Sequence, residues 1–105
     1  MFGKKRAEEK QTWIRLTGAD GAVLYDAPLK AYSLPEETVL QLSVEFFRDP
    51  EPCEIHRAAV HKRAMLSLMS ACPAGETVAV ASLPEALRGC FPAQAVSVCL
   101  REEGA

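Results

Sequence analysis

The tetrapeptide Ser-Leu-Pro-Glu occurs twice in this chain, at residues 33–36 and again at 82–85. In each copy a serine stands three residues before a glutamate, which is the spacing of a capping box at the start of an α-helix. Proline fits in the first turn because the N–H that it lacks would have no partner within the helix. The repeat therefore predicts two helix starts, and it is too short to indicate a duplicated domain.

The segment that follows the first repeat carries two periodic patterns. Apolar residues alternate with polar ones from 40 to 46, as they do in a strand. One side of a helix over the same residues would also be apolar, formed by Val39, Leu40, Val44, Phe46 and Phe47. Because the capping box favours the helix, we expect α-helix over residues 34–47, with Leu42 away from its buried side.

A longer helix is predicted over residues 53–72, after two prolines that cannot lie inside the first one. Its first apolar stripe, expected to face the core, consists of Ile55, Ala59, Leu66 and Met69. A neighbouring stripe widens the buried side and consists of His61, Met65, Leu68 and Cys72. Lys62 falls within this apolar sector, and we expect its ammonium group to reach solvent at an edge.

Four segments have strand character. Residues 11–17 and 22–26 flank the turn sequence Gly-Ala-Asp-Gly and predict an antiparallel hairpin. Residues 77–81 and 95–100 predict two further strands. A helical turn over 83–88, closed by Gly89 as its C′ residue, separates these last two strands.

The resulting order, β-β-α-α-β-α-β, predicts an α+β fold. We expect a small two-layer sandwich, in which a four-stranded, mostly antiparallel sheet carries two main helices on one face. A chain of 105 residues forms one domain. That domain is expected to span residues 11–101, between a flexible charged N-terminal tail at 1–10 and a flexible C-terminal tail at 102–105.

The charge balance bears on the class of partner. Twelve Lys and Arg stand against fourteen Asp and Glu, for a net charge of −2. Proteins that bind nucleic acid usually carry a basic excess, so this balance disfavours such a role. The basic residues of the N-terminal tail and of the second helix keep a nucleic-acid-binding accessory protein as an alternative.

Neither a membrane span nor a secretion signal is predicted. No window of the sequence approaches 18 apolar residues. The basic start of the chain is followed by charged residues rather than by the apolar core of a signal peptide. We therefore expect a cytoplasmic protein without membrane contact.

The four cysteines, Cys53, Cys72, Cys90 and Cys99, form no CxxC pair. In a reducing compartment we expect them to be free structural thiols. Cys53 and Cys72 lie at opposite ends of one predicted helix, nearly 30 Å apart by the ~1.5 Å rise per residue, so they cannot share a zinc ion. Because His56 follows Cys53 by one helical turn, a cysteine-dependent enzyme or redox-responsive protein stays open as a second alternative.

No phosphate-binding loop or acid–base pair is evident, so we expect no catalytic residue, no cofactor and no metal ion. Two candidate contact surfaces remain. The first is Trp13 with Arg15 and Tyr25, because Trp13 points away from the core if Ile14 and Leu16 face it. The second is the polar side of the second helix, with His56, Arg57 and Arg63.

These surfaces predict a small non-catalytic module that binds another protein or regulates it. Replacement of Arg57 or Trp13 should weaken the binding of that partner. We expect the chain itself to be a monomer or a weak homo-oligomer, since a free sheet edge is the one predicted route to self-association.

Overall fold

Two strands joined by a tight turn open the part of the chain that the computed structural model describes, residues 10–104. Strand β1 (Lys10–Gly18) pairs antiparallel with β2 (Val23–Pro28). In the turn, Gly21 has a φ of 86°, and the Ala22 N–H donates to Asp20 Oδ1 over 3.0 Å. The predicted hairpin is confirmed, with glycine at the position that needs a left-handed backbone.

Two main helices follow a 3-10 turn at Leu29–Ala31. They are α1 (Glu36–Phe47) and α2 (Glu54–Ala71), and a third helix of one turn, α3 (Glu85–Arg88), lies after the second repeat. Residues 38–47 are therefore helical rather than extended. The helical interpretation of the alternating segment is confirmed.

The predicted capping box does not form in either copy of the repeat. Pro35 and Pro84 occupy the N-cap positions, each with a ψ of 146°, and no side chain caps either helix. A residue before proline is kept out of the helical region by steric contact with the proline ring. Leu83 consequently stays extended, with a ψ of 157°, and each helix begins one residue after its proline.

The sheet is completed by β3 (Thr77–Ala79) and β4 (Ala95–Gly104). A 3-10 turn at Val80–Ser82 and the short α3 connect them. The strand order is β2-β1-β4-β3, and each neighbouring pair is antiparallel. Gly89, after α3, has a right-handed φ of −72°, so it is not the left-handed C′ residue that was expected.

The ends of the domain differ from the predicted tails. β4 continues to Gly104 because β1 reaches back to Lys10 and offers backbone partners along its whole length, so residues 102–104 are strand rather than tail. Lys10, assigned to the N-terminal tail, is the first residue of β1. The rest of that predicted tail, residues 1–9, and residue 105 lie outside the described residues.

The core lies between one face of the sheet and the helices. The sheet contributes four side chains that are at most 2% exposed: Ile14, Leu16, Val98 and Leu100. The two main helices supply Leu42, Val60, Ala64 and Leu68 to the same cluster. The α+β two-layer prediction is confirmed, with both main helices on one face of an open antiparallel sheet.

The predicted rotation of each main helix is confirmed only in part: Val39 of α1 and Met65, Leu68 and Cys72 of α2 are buried as expected. In α1, Leu42 is 1% exposed and Val44 is 48% exposed, the reverse of what the sequence pattern indicated. In α2, the stripe with Ile55 and Leu66 faces solvent, and the buried side runs through Val60, Ala64, Leu68 and Cys72. Apolar residues occupy two opposite sides of α2, so periodicity cannot decide which side meets the sheet.

Candidate functional site

The face of the sheet opposite the helices carries polar and aromatic side chains. Successive side chains of a strand point to opposite faces, so the burial of Ile14 and Leu16 turns their neighbours outward. We call this surface the outer sheet face; its central residues are Trp13, Arg15, Asp26, Arg101 and Glu103. All of them are exposed or half-buried.

An ion-pair network crosses three strands on the outer sheet face. The Arg101 guanidinium donates to Asp26 Oδ1 over 2.9 Å and to Glu103 Oε2 over 2.7 Å. Arg15 donates to Asp26 Oδ2 over 3.2 Å. The hydrogen bond from Arg101, reinforced by the one from Arg15, holds the pKa of the Asp26 carboxyl below its usual 3.8. Two cations and two carboxylates thus neutralise each other on this surface.

Trp13 lies beside this network. Trp13 and Arg101 are direct partners across β1 and β4, and the guanidinium Cζ is 5.1 Å from the centre of the indole ring. This is cation–π geometry. Two carboxylates, those of Asp26 and Glu103, also hold Arg101 beside the ring.

The structure separates Tyr25 from Trp13, so the predicted grouping is wrong. Tyr25 pairs with Leu16 and therefore points to the helix side of the sheet. Its ring packs edge-on against Tyr32, with 5.3 Å between centroids. The Tyr32 hydroxyl in turn donates to the Cys90 carbonyl, and burial raises the pKa of Tyr32 to about 12. Tyr25 belongs to this internal aromatic group.

The predicted basic patch on α2 is divided into separate contacts. The His56 ring stacks on Phe47 with 5.1 Å between centroids, and its Nδ1 lies 2.6 Å from Asp49 Oδ2. The bond from His56 keeps the pKa of Asp49 below its usual 3.8, so the carboxylate accepts and Nδ1 carries the hydrogen. Arg63 lies over the neighbouring Phe46, with Cζ 4.5 Å from the ring centre.

Arg57 points elsewhere and joins the starts of the two main helices. It donates two hydrogen bonds of 2.9 Å to the carboxylate of Glu36, the first residue of α1. This bidentate ion pair lowers the pKa of Glu36 and raises that of Arg57. His56 and Arg57 therefore each lie against a carboxylate, which reduces the positive field that a nucleic acid would need, whereas Arg63 lies against an aromatic ring.

Cys53 is the exposed N-cap residue of α2. Among residues 10–104, no hydrogen bond joins its thiol to His56, whose Nδ1 is bound to Asp49. Cys72 and Cys90 are buried, and burial raises the pKa of the Cys90 thiol to about 11 and also raises that of Cys72. Two of the four thiols are consequently poor nucleophiles.

Within residues 10–104, no three His, Cys, Asp or Glu side chains converge as a metal site would require. None of the helices described here has the length and apolar character needed to cross a bilayer. A groove of about 390 Å³ between the helix ends is lined by Phe46, Ser67, Ser70, Ala71, Pro84, Ala86 and Leu87. Apart from two serine hydroxyls, this lining is apolar.

Comparison of the chain with models of known protein families, with curated proteins and with solved structures finds no match. Three of the five central residues of the outer sheet face, Asp26, Arg101 and Glu103, escaped the sequence-based prediction. Alternation within the second strand could have indicated Asp26, whereas Arg101 and Glu103 needed knowledge that β4 pairs with β1.

Proposed function

We propose that this protein is a non-catalytic binding module that docks another protein on the outer sheet face. The observation that carries the proposal is the stacking of Arg101 on the half-buried Trp13 at the centre of that face. Tryptophan and arginine are the residues that most often dominate the energy of protein interfaces. A pair already fixed by cross-strand contacts loses little side-chain freedom when a partner binds.

The charges of the outer sheet face favour a protein over a nucleic acid as the partner. Arg15 and Arg101 are both engaged by Asp26, and Glu103 adds a second acid. A phosphate backbone would meet these carboxylates and would have to displace them. A protein surface can match alternating charges around an aromatic anchor. We also propose the cytoplasm as the compartment, since the four free cysteines fit reducing conditions.

The test compares affinity capture by the wild-type protein and by two variants in the cells that produce it. Trp13→Thr removes the indole but keeps a strand-favouring residue, so the sheet should persist. Arg57→Gln is the matched control, because it removes a guanidinium from the helix layer, away from the outer sheet face. Circular dichroism establishes that both variants are folded.

We expect at least one captured protein to be lost with Trp13→Thr and retained with Arg57→Gln. That protein, once purified, should alter the fluorescence of Trp13, the single tryptophan of the chain. Capture that is identical for all three proteins would refute the proposal. Retention of nucleic acid that weakens steeply with salt would support the nucleic-acid alternative instead.

A further inference from the structure

Helix α2 exposes an apolar stripe along the side opposite the core. The stripe consists of Ile55, Ala59, Lys62, Leu66 and Met69, and we call it the outer seam. Its large apolar members are well exposed, at 78% for Ile55, 55% for Leu66 and 42% for Met69. Successive residues are separated alternately by four and three positions, which is the spacing of the contact line between two packed helices.

We propose that the outer seam binds a second copy of this chain through an antiparallel pair of α2 helices. The two-fold axis would cross the outer seam midway between Ala59 and Lys62. In that register, Ile55 lies opposite Leu66 of the second copy, and Ala59 lies opposite its Lys62. Each contact then occurs twice, as a two-fold interface requires.

The sizes along the outer seam fit this self-pairing. The two bulky aliphatic residues, Ile55 and Leu66, meet each other, and the small Ala59 leaves room for the stem of Lys62. The Lys62 ammonium group can reach solvent at the edge of the helix pair. A parallel pair would instead set the two Lys62 side chains directly against each other, so the charge pattern favours the antiparallel arrangement.

The length of the outer seam limits the affinity. In this register the paired part of the outer seam, from Ile55 to Leu66, is about 17 Å long at the rise of an α-helix. A strip one helix wide and of that length covers less than the roughly 800 Å² per partner of a standard stable interface. We therefore expect reversible association with a dissociation constant in the micromolar range or weaker.

The experiment is sedimentation equilibrium of the full chain from about 5 to about 500 µM, a range that brackets such constants. The wild-type protein should show a reversible monomer–dimer equilibrium. Leu66→Glu should weaken the dimer by at least about tenfold, because it buries a charge in the seam. Val44→Glu is the matched control: it introduces the same charge at an exposed position of α1 outside the outer seam.

A variant that should dimerise more tightly than the wild-type protein provides a second test. Lys62→Leu removes the only charge of the outer seam and should tighten the dimer by about tenfold or more, from the additional apolar burial. Circular dichroism confirms the fold of each variant. If the wild-type protein and Lys62→Leu both stay monomeric over the whole range, the proposal is overturned. Dimerisation that Leu66→Glu and Val44→Glu affect equally would overturn it as well.

The outer seam and the outer sheet face lie on opposite sides of the molecule, since the helices cover the other face of the sheet. Loss of dimerisation through Leu66→Glu should leave partner capture by Trp13 intact. The two proposals therefore stand or fail separately.

Discussion

The guanidinium of Arg101 lies over the indole of Trp13, and the two residues are direct cross-strand partners on β4 and β1. Within residues 10–104 these strands are the first and the last, and they are the two central strands of the sheet. The stacked pair therefore lies in the middle of the outer sheet face rather than at an edge of the sheet. This central position makes Trp13 a suitable anchor for a partner.

Removal of Arg101 should increase the access of solvent to Trp13. Because Trp13 is the single tryptophan, acrylamide quenching of the intrinsic fluorescence reports on this side chain alone. Arg101→Gln takes the guanidinium from the ring and should raise the quenching constant. Arg15→Gln is the control, since Arg15 binds Asp26 without stacking on the indole. An equal effect of both changes would contradict the stacked arrangement.

The pKa of Asp26 should respond more strongly to Arg101 than to Arg15. The hydrogen bond from Arg101 is the largest cause of its lowering. A two-dimensional NMR titration of the side-chain carboxyl should therefore show a larger rise of the pKa in Arg101→Gln than in Arg15→Gln. The reverse order would show that Arg15 holds the carboxylate instead.

The lowered pKa of Asp26 also predicts how the stability of the protein depends on pH. A carboxyl whose pKa is lower in the folded state contributes stability above its unfolded pKa and loses it as the pH falls through the folded value. Asp26→Asn should consequently be less stable than the wild-type protein at pH 7. The difference should vanish in acid below both pKa values, as measured by urea unfolding at each pH. A difference that persists at the lowest pH would contradict this origin.

Local signals in the sequence were sufficient for the elements of this fold but not for their orientation. The turn sequence at residues 18–21 and the prolines at 50 and 52 act on their immediate neighbours, and the hairpin and the helix break follow from them. The rotation of α2 depends on which of two apolar sides the sheet covers. That choice is made by tertiary packing, so the sequence pattern wrongly predicts that Ile55 and Leu66, which are exposed, face the core.

The candidate site shows the same division between local and distant information. Alternation along β1 correctly predicts that Trp13 and Arg15 point away from the core, since Ile14 and Leu16 face it. Arg101 comes from the other end of the chain, and only the β1–β4 pairing brings it to Trp13. The predicted basic patch on α2 does not form, because its residues contact partners outside α2. Arg57, for example, binds Glu36 on α1.

The rotation of α1 can be tested with a pair of truncations. Leu42→Ala removes a side chain that is 1% exposed and should reduce the free energy of unfolding by about 2–5 kcal/mol. Val44→Ala, at a position that is 48% exposed, should change it by less than about 0.5 kcal/mol. Urea denaturation of both variants measures the difference. Equal losses would mean that the two sides of α1 are equally buried.

The cysteines should differ in their reaction with iodoacetamide. The pKa of Cys90 is about 11, so at pH 8 only about one thiol in a thousand is ionised there. Cys90 is also buried, whereas Cys53 is exposed at the start of α2. Mass spectrometry of the labelled peptides should show modification of Cys53 well before Cys90. In denaturant both should react alike, and rapid labelling of Cys90 in the folded protein would contradict its burial.

Gly21 should be required for its backbone conformation rather than for space. Its φ is 86°, and a Cβ added there would meet nothing within 4 Å. Gly21→Ala should therefore reduce the free energy of unfolding by roughly 1–2 kcal/mol through left-handed strain alone. Gly21→Asn should cost less, since asparagine tolerates this region of φ and ψ better than alanine does. Thermal or urea unfolding of the two variants gives the comparison. If alanine and asparagine were equally harmful, a cause other than the backbone angle of this turn would be required.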